Sequence, residues 1–462
     1  MKRATFGYLP LYIKLYDDTG TESREPLEAY MRSIVQMLRA EGLDIVPAPV
    51  CRIKEEFEQA IDTFLEQDVA AIITQHLAYS PSLESIDALK RAGVPIIVLN
   101  TTPDYDLIDR AGYYNGIGKN HGIHGVQDMC NLLRRHGVQY FLCTGHVLHS
   151  AVLADVMGKC RAAALAQAFR RARVGAVGAP FQGMGDFQID DEEYKRSIGA
   201  SVFRMGEQDI ADFLQKVSEE EINEEIALDQ KNFQVDIENT AAYRLATKAG
   251  LAVRKWADVL RLSALTINFL SLDACGLPKM PFVECSKSMA RGLGYAGEGD
   301  VLTAGLVGAL RSVYNDTTFV EMFCPDWKEG IILLNHMGEG NPDLSVWKPS
   351  LVDKPFSYNS CGDTVAPAFC YRPGKAVWVN LAPSKDGFCF IAADVEMMDK
   401  GLQFGAYRDA VQGWMKPGMA LPAFLNAYSE LGGTHHSAMV YNADISDILA
   451  FGKMMHFEVH SI

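Results

Sequence analysis

The chain has 462 residues, of which 48% are hydrophobic and 22% charged, and its formal net charge is −15 at pH 7. This length exceeds what one hydrophobic core usually organises, so we expect a soluble globular protein of two or three domains. A strongly negative chain without a clustered basic surface is a poor binder of nucleic acid, and we exclude nucleic acid as a partner.

The cysteines and the N-terminal residues indicate a cytoplasmic location. Ten cysteines are scattered along the chain without a C-x-x-C pair, which argues against a disulfide framework and against a thiolate zinc site. The apolar run over residues 4–15 is interrupted by Gly7, Pro10 and Lys14 and lacks a small-residue cleavage signature, so it predicts a first strand rather than a signal peptide. No uninterrupted apolar stretch reaches membrane-spanning length, and we expect no membrane partner.

The first part of the chain alternates strand-like and helix-like patterns. Residues 5–12 form a β-type apolar run, and residues 24–40 have helical periodicity that stops at Glu41-Gly42. The alternation continues with strands predicted at 45–49, 69–74, 95–99 and 139–144 and with helices near Phe57, near Ile86, and over 124–135 and 152–170. Apolar strands separated by amphipathic helices are typical of a parallel sheet covered on both faces, and predict a doubly wound, Rossmann-like α/β domain over residues 1–173.

Two further domains are predicted. A second α/β segment begins at residues 174–178 and contains an acidic helix over 218–228 and a longer helix capped near Asn239-Thr240. It predicts a second doubly wound, Rossmann-like domain over residues 174–316. From about Phe319 the pattern changes to short alternating strands, such as 376–381 and 388–391, which predict a mainly antiparallel β domain over residues 317–462.

Two glutamates stand in distinctive local sequences. Glu298 lies between two glycines in Gly294-Tyr-Ala-Gly-Glu-Gly-Asp300, which could also be no more than a helix N-terminus with an acidic first turn. Glu321 lies in the apolar stretch Thr318-Phe-Val-Glu-Met322. A carboxylate buried there must be paired, protonated or bound to metal, which favours a functional role for Glu321.

Histidines complete the candidate set. His336 follows an apolar run in Leu333-Leu-Asn-His-Met337, where a lone histidine is most simply a core residue bonded to a backbone carbonyl. His435 and His436 stand in Gly432-Gly-Thr-His-His-Ser437, which could be a loop with two exposed imidazoles. Two carboxylates and one or two imidazoles nevertheless make an oxygen and nitrogen set that suits a divalent ion such as Mn²⁺, and together they point to a metal-assisted enzyme.

In these motifs the chain resembles the L-arabinose isomerase and L-fucose isomerase superfamily, and the arabinose branch more closely. The resemblance is carried by Gly294-Tyr-Ala-Gly-Glu-Gly-Asp300, Thr317-Thr-Phe-Val-Glu321, Asn335-His-Met337 and Gly432-Gly-Thr-His-His-Ser437, in the family's order. Weaker similarity extends through Asn120-His-Gly-Ile-His-Gly125, Thr144-Gly-His146 and Phe181-Gln-Gly-Met184.

The resemblance implies a role for each matched residue. Glu298, Glu321, His336 and His436 would hold Mn²⁺, with Co²⁺ or Mg²⁺ as alternatives, and the two glutamates would also act as the acid/base pair of an aldose–ketose isomerisation. His435, His124 and Met184 match positions that bind substrate, and the residue at the position of His124 reaches in from a neighbouring subunit. The resemblance therefore implies a homo-oligomer, with a hexamer favoured, whose sites are shared between subunits.

The chain also departs from the family pattern. The arabinose branch has Gly-Ser-Gln-His-Leu-Tyr near the N-terminus where this chain has Gly7-Tyr-Leu-Pro-Leu-Tyr12. Leu9 therefore replaces a substrate-contacting glutamine, His121 replaces a second one, and Leu11 matches the leucine of the segment; we count Leu11 and His121 among the predicted substrate-binding residues. Because a buried hydroxyl without a partner costs about 1 to 3 kcal/mol, these changes should alter which sugar is accepted.

The residues suit the implied reaction. Interconversion of an aldose and a ketose needs a base, an acid and an electrophile that stabilises the enediolate, which two glutamates and a divalent ion can supply. We therefore predict an isomerase of an open-chain pentose or 6-deoxyhexose. The alternatives are a sugar-binding or sensor protein, which has no need of two glutamates and two histidines, and a metal-dependent epimerase or lyase that uses the same enediolate.

Overall fold

A computed structural model describes residues 4–20, 24–108, 116–399 and 410–462 of the chain. The chain divides into two compact units, Met1–Ala166 and Gln167–Ile462. The three-domain boundaries drawn from the sequence at 173/174 and 316/317 stay a prediction. Within the described ranges no helix is both long enough and apolar enough to cross a membrane.

The first unit is built on a parallel sheet whose strands follow the order β2-β1-β3-β4-β5. The strands are β1 Thr5–Leu11, β2 Asp44–Pro47, β3 Ala71–His76, β4 Ile96–Asn100 and β5 Tyr140–Thr144. Strands β1 and β3 are buried along their whole length, as expected when helices cover both faces of a sheet. Their apolar sequences are therefore explained by the sheet's position between two helical layers.

Helices connect these strands, and one more helix follows the last strand. They are α1 Lys14–Thr19, α2 Glu25–Ala40, α3 Lys54–Glu66, α4 Ser82–Ala92, α5 Gly122–Arg135 and α6 Val152–Arg170, with a 3₁₀ turn at Gly118–Asn120. In α2 the buried residues Leu27, Met31, Ile34 and Leu38 recur every three or four positions, which places one apolar stripe against the sheet. The sequence-predicted helices of this region are confirmed to within a few residues.

The second unit begins with a four-stranded parallel sheet in the order β10-β9-β6-β7. Its strands are β6 Arg173–Val177, β7 Ser201–Met205, β9 Ala264–Ile267 and β10 Gly294–Gly297. Its helices are α7 Asp191–Ile198, α8 Glu207–Gln215, α9 Glu219–Asn232, α10 Thr240–Leu260, α11 Leu272–Cys275, α12 Phe282–Ala290 and α13 Val301–Arg311, with a 3₁₀ turn at Phe269–Ser271.

The rest of the second unit is mainly antiparallel. Its elements are β11 Thr317–Asp326, β12 Ile331–His336, a 3₁₀ turn at Pro342–Leu344, β13 Ser350–Lys354, β14 Thr364–Cys370, β15 Gly374–Ser384, β16 Gly387–Met398, β17 Val411–Pro417, α14 Leu421–Glu430, β18 His436–Tyr441, α15 Ile445–Met454 and β19 Glu458–Ser461. Strand β8, Gln234–Asp236, pairs with β13 at the edge of this sheet. The predicted fold class, parallel α/β sheets followed by a mainly antiparallel β domain, is confirmed.

Six of these strands close into a barrel. Antiparallel pairings run β16-β15-β18-β11-β12-β17, and β17 pairs back onto β16. A core of large side chains fills the structure, including the fully buried Trp378, Ile391 and Met439. Closure leaves these strands without a free edge and fixes their positions around a common core.

The turn between β10 and α13 is held by close packing. A Cβ atom at Gly294 would stand 2.2 Å from the backbone nitrogen of Gly308, so the strand and the helix approach more closely than any side chain would allow. Asp300 caps the helix, since its Oδ1 accepts a hydrogen bond of 2.9 Å from the backbone N–H of Thr303. The close packing and the cap therefore fix the backbone path of the residues between strand and helix, which include Glu298.

Candidate active site

Glu298 occupies this turn in a strained conformation. Its φ is +64°, a left-handed value that non-glycine residues adopt rarely, and at Gly299, with φ +83°, a Cβ atom would stand 2.7 Å from the carbonyl oxygen of Ala179. The carbonyl oxygen of Glu298 accepts a hydrogen bond of 2.9 Å from the backbone N–H of Phe181. The turn and the loop that follows β6 thus hold each other in place, and the strain marks Glu298 as a candidate functional residue.

Three neighbouring barrel strands supply the other predicted ligands. Glu321 on β11 is the direct cross-strand partner of His436, the first residue of β18. His336 is the last residue of β12, the strand that pairs with β11 on the side opposite β18. Residues far apart in the sequence are therefore brought together by the barrel pairing.

The ligand atoms converge. His436 Nε2 lies 2.9 Å from Glu321 Oε1 and 3.5 Å from Glu298 Oε2, and His336 Nε2 lies 3.8 Å from Glu321 Oε2. His435 Nε2 lies 3.7 Å from Glu298 Oε2 and 3.8 Å from Glu321 Oε1. One ligand atom each from Glu298, Glu321, His435 and His436 can be chosen so that all lie within 4.8 Å of one another. The structure thus brings together both predicted glutamates and all three predicted histidines of this region.

Each of these histidines has a carboxylate at Nδ1. His436 Nδ1 lies 2.9 Å from Asp300 Oδ2, His435 Nδ1 lies 2.6 Å from Asp186 Oδ2, and His336 Nδ1 bonds to Glu339. A carboxylate at Nδ1 accepts the N–H there, which orients each ring so that Nε2 faces the glutamates.

Sequence reasoning did not identify these carboxylate partners as functional. Glu339 is buried and also accepts a hydrogen bond of 3.1 Å from the hydroxyl of Tyr295. Asp300 and Glu339 stand two and three residues after Glu298 and His336, so their spacing from a candidate ligand is the signal that could have found them. Asp186 lies far from the histidines in the sequence, and no local pattern links it to them.

The charges at the site perturb one another strongly. Burial raises the pKa of Glu298, but the neighbouring His435 and His436 outweigh burial and lower this pKa to about 2. Burial likewise raises the pKa of Glu321, and His336 and His436 reverse the effect and lower it. Burial lowers the pKa of His336, but Glu339 and Glu321 outweigh it and raise this pKa to about 9. In the absence of a metal, the site therefore balances ionised carboxylates with protonated imidazoles.

The donor set fits a divalent cation. Glu298 Oε2 and His436 Nε2 are buried polar atoms for which the described residues provide no hydrogen bond of acceptable geometry. Such atoms are costly unless a ligand satisfies them, and they are a carboxylate oxygen and an imidazole nitrogen directed at one place. Mixed oxygen and nitrogen donors suit Mn²⁺ and related ions. The residues present could therefore hold a divalent cation, and Mn²⁺ as its identity stays a prediction.

Aromatic rings enclose the same atoms. The ring of Phe187 stacks on His436 with a centroid separation of 4.8 Å and an interplanar angle of 8°. The ring of Phe319 meets His336 and His436 edge to face, at 5.0 and 4.9 Å. These rings fill space beside the histidines and keep water from that side of the site.

The remaining predicted site residues lie elsewhere. Met184 is in the loop after β6 and is half-buried, with its backbone N–H donating to Phe181. Leu11 ends β1 in the first unit, where it is buried with Leu9 in the apolar core. His121 and His124 lie at the start of α5, and His121 Nε2 stands 2.6 Å from His124 Nδ1. The substrate-binding roles of Leu11, His121, His124 and Met184 stay predictions.

Two family models match consecutive stretches of the chain. The model of the L-arabinose isomerase central domain matches residues 188–316, and the model of the L-arabinose isomerase C-terminal domain matches residues 316–458. Together they cover more than half of the chain and include all five clustered residues.

The chain belongs to the L-arabinose isomerase family. It is 24% identical to an L-arabinose isomerase of Shouchella clausii over 98% of this chain and 92% of that protein. It is 26% identical to an L-arabinose isomerase of Nocardioides sp. over 86% of this chain and 81% of that protein. An L-arabinose isomerase of Oceanobacillus iheyensis is 23% identical over 98% of each. The resemblance to the arabinose branch is thereby confirmed, and the chain is an aldose–ketose isomerase of the L-arabinose isomerase family.

Proposed function

We propose that this family member is a metal-dependent isomerase that interconverts the aldose and ketose forms of an open-chain pentose or 6-deoxyhexose. The observation that carries the proposal is the convergence of Glu298 from the parallel sheet with Glu321 and His436 from the barrel, two of them with buried atoms for which the described residues provide no hydrogen bond of acceptable geometry. Hydrogen-bonded structural residues would have satisfied those atoms. A site that leaves them directed at one place is suited to a cation and a substrate.

The metal ligands in this proposal are Glu298, Glu321, His336 and His436. They would hold Mn²⁺, or alternatively Co²⁺ or Mg²⁺, whose positive charge stabilises an enediolate when the ion is bound. Asp300 and Glu339 fix the orientation of the two ligand imidazoles through Nδ1. Their buried carboxylates keep Nε2 as the coordinating atom.

Glu298 and Glu321 also serve as the acid/base pair. The isomerisation transfers a proton between C1 and C2 of the sugar and moves a second proton between the two adjacent oxygens. With the pKa of each glutamate held below its usual value, both carboxylates are ionised and can accept a proton. Two glutamates on one site can therefore divide the carbon and oxygen proton transfers between them.

The substrate pocket differs from that of the arabinose branch. We propose that His435, Met184, Leu11 and His121 contact the sugar, and that His124 contacts it from a neighbouring subunit. Leu9 and His121 stand where the branch has glutamines, so one side of the pocket lacks amide groups that bond sugar hydroxyls. The preferred sugar should therefore differ from L-arabinose in the hydroxyls that face this side.

The assembly that follows from this pocket is a homo-oligomer, and we favour a hexamer. A closed assembly lets each subunit contribute α5 to another subunit's site. The proposed partners are then a small sugar and further copies of this chain, with neither nucleic acid nor membrane involved. A cytoplasmic location is consistent with ten free cysteines.

A substrate panel tests the proposal. Purified protein is stripped with a chelator, reloaded with Mn²⁺, Co²⁺ or Mg²⁺, and incubated with the aldopentoses and 6-deoxyaldohexoses, while ketose is detected by chromatography. We expect ketose from at least one sugar, higher activity and a higher melting temperature with the preferred ion, and loss of both with chelator. Absence of ketose from every sugar with every ion would refute the isomerase. If metal-stripped and metal-loaded protein have the same melting temperature and the same turnover, the proposed metal dependence is wrong.

A further inference from the structure

The loop that follows β6 contacts both histidines of the tandem pair through adjacent residues. Phe187 stacks flat on His436, as described above. Asp186, the preceding residue, accepts two hydrogen bonds from His435: one of 3.0 Å from the backbone N–H and one of 2.6 Å at Nδ1, both at Oδ2. Two contacts to one carboxylate oxygen fix the backbone and the ring of His435 together.

His435 differs from the other two histidines in its surroundings. Its side chain is 39% exposed, whereas those of His336 and His436 are 6% and 0% exposed. Its Nε2 stands 3.7 Å from a glutamate oxygen, compared with 3.8 Å for His336 and 2.9 Å for His436, so exposure is what distinguishes it. His435 therefore lies on the open side of the cluster, where a substrate would meet it before it meets the buried ligands.

An exposed histidine ring keeps one orientation only if neighbouring groups hold it there. A solvated imidazole can exchange tautomers and rotate about its side-chain bonds, and each freedom lost on binding a substrate weakens that binding. Asp186 removes both freedoms, because it accepts the Nδ1 hydrogen and also holds the backbone from which the ring extends. The ring is then held with Nε2 facing the space beside Glu298 and Glu321.

We infer that Asp186 is a positioning residue that fixes the Nδ1–H tautomer of His435 and directs its Nε2 at the substrate. This inference rests on the proposed function and deepens it, since it adds a residue outside the predicted site. Asp186 acts through His435 and does not itself touch the sugar. Outer carboxylates of this kind typically change activity by about 10- to 100-fold when they are removed.

The test is a double-mutant cycle in the Mn²⁺-loaded protein. Asp186→Ala should lower kcat/KM by about 10- to 100-fold, and adding it to His435→Ala should cause no further loss, because the two residues act in series. Asp186→Asn, which keeps an acceptor oxygen, should restore part of the activity. If Asp186→Ala retains normal kcat/KM, or if its effect multiplies with that of His435→Ala, the inference is wrong.

Asp190→Ala is the matched control. Asp190 caps α7 four residues later, accepting hydrogen bonds from the backbone of Glu192 and Glu193, and its side chain makes no hydrogen bond or ion pair with the site among the described residues. Its loss should lower the melting temperature by about 2 to 4 °C, as is usual for a missing cap, and leave kcat/KM unchanged. An equal loss of kcat/KM in Asp190→Ala and Asp186→Ala would mean that loop stability alone matters, which overturns the inference.

A binding measurement separates this inference from the proposed function. If wild type isomerises no sugar, the proposed function fails, and calorimetric titration of Mn²⁺-loaded protein with L-arabitol becomes the readout. Binding by wild type with a weakening of about tenfold or more in Asp186→Ala supports the positioning role. Equal affinities in the two proteins, including the case in which neither binds, refute it.

Discussion

Two groups of histidines, one in each compact unit, have different hydrogen-bond partners. In the second unit, His336, His435 and His436 each have a carboxylate at Nδ1. In the first unit, His121 and His124 contact each other, 2.6 Å apart, and Tyr16 Oη lies 3.2 Å from His121 Nδ1. Because tyrosine and histidine can each donate or accept, these contacts do not fix a single tautomer of His121 or His124.

This difference indicates which histidines are already oriented before a ligand binds. A carboxylate at Nδ1 orients the ring so that Nε2 faces the glutamates before any ligand arrives, and a metal that binds there has to displace the Nε2 proton. The pair in the first unit can rearrange its protons to suit whatever it meets. The second unit therefore carries a prepared centre, whereas His121 and His124 are suited to an adaptable contact with polar groups.

The strongest test of this contrast removes the acid/base groups of the prepared centre. Glu298→Gln and Glu321→Gln should each lower kcat by about 10²- to 10⁴-fold, because general acid and base groups contribute that much. The control is Glu396→Gln, which changes an exposed glutamate on barrel strand β16 and should leave kcat unchanged. A glutamate whose amide variant keeps near-normal turnover at saturating Mn²⁺ is neither the acid nor the base.

Subunit mixing tests the adaptable pair. His124→Ala and Glu321→Gln proteins should each be inactive, and mixing them under exchange conditions should restore partial activity, because some sites then draw both intact residues from different chains. Activity is measured alongside subunit exchange, which mass spectrometry of labelled chains verifies. If exchange is complete and no activity returns, His124 does not complete a neighbour's site.

Replacing the carboxylates at Nδ1 should have a smaller and more specific effect, on metal binding. Glu339→Gln and Asp300→Asn should weaken Mn²⁺ binding by about 10- to 100-fold, since each removes the charge that orients a ligand imidazole. Calorimetric titration of metal-stripped protein measures the affinity. His121→Ala should leave Mn²⁺ affinity unchanged, and a comparable loss in that variant would abolish the contrast between the units.

The smallest effect concerns pH. Without metal, the pKa of His336 is raised to about 9, so its protonation stabilises the fold fully below the ordinary pKa near 6.5, and this stability is lost as pH rises through about 9. Metal must displace that proton, so Mn²⁺ affinity should increase between pH 6.5 and 9. Melting curves of stripped and loaded protein across this range should diverge as pH rises. A constant difference between them would indicate that His336 binds no proton in the metal-free site.

The sequence predicted more of the fold than of the site's inner arrangement. Apolar runs of β1 and β3 and the periodicity of α2 are local patterns, so they located elements correctly. Glu298, Glu321 and the histidines were predicted as site residues because local motifs resemble those of a family, and the structure brings them together. The roles of Asp186 and Glu339 depend on which side chains meet after folding, and barrel closure by β16 and β17 depends on pairing between distant strands. No sequence window contains that information.

Pairing of β11 with β18 has a consequence for biosynthesis. Glu321 and His436 become neighbours only when β18 inserts between β11 and β15, and the ribosome makes β18 long after β11. Contacts between such distant segments form late, after the intervening strands have been made. A nascent chain that carries Glu298, Glu321 and His336 consequently lacks the tandem histidines, so it does not yet have the complete ligand set of the proposed metal site. Under that proposal, metal acquisition is coupled to completion of the barrel.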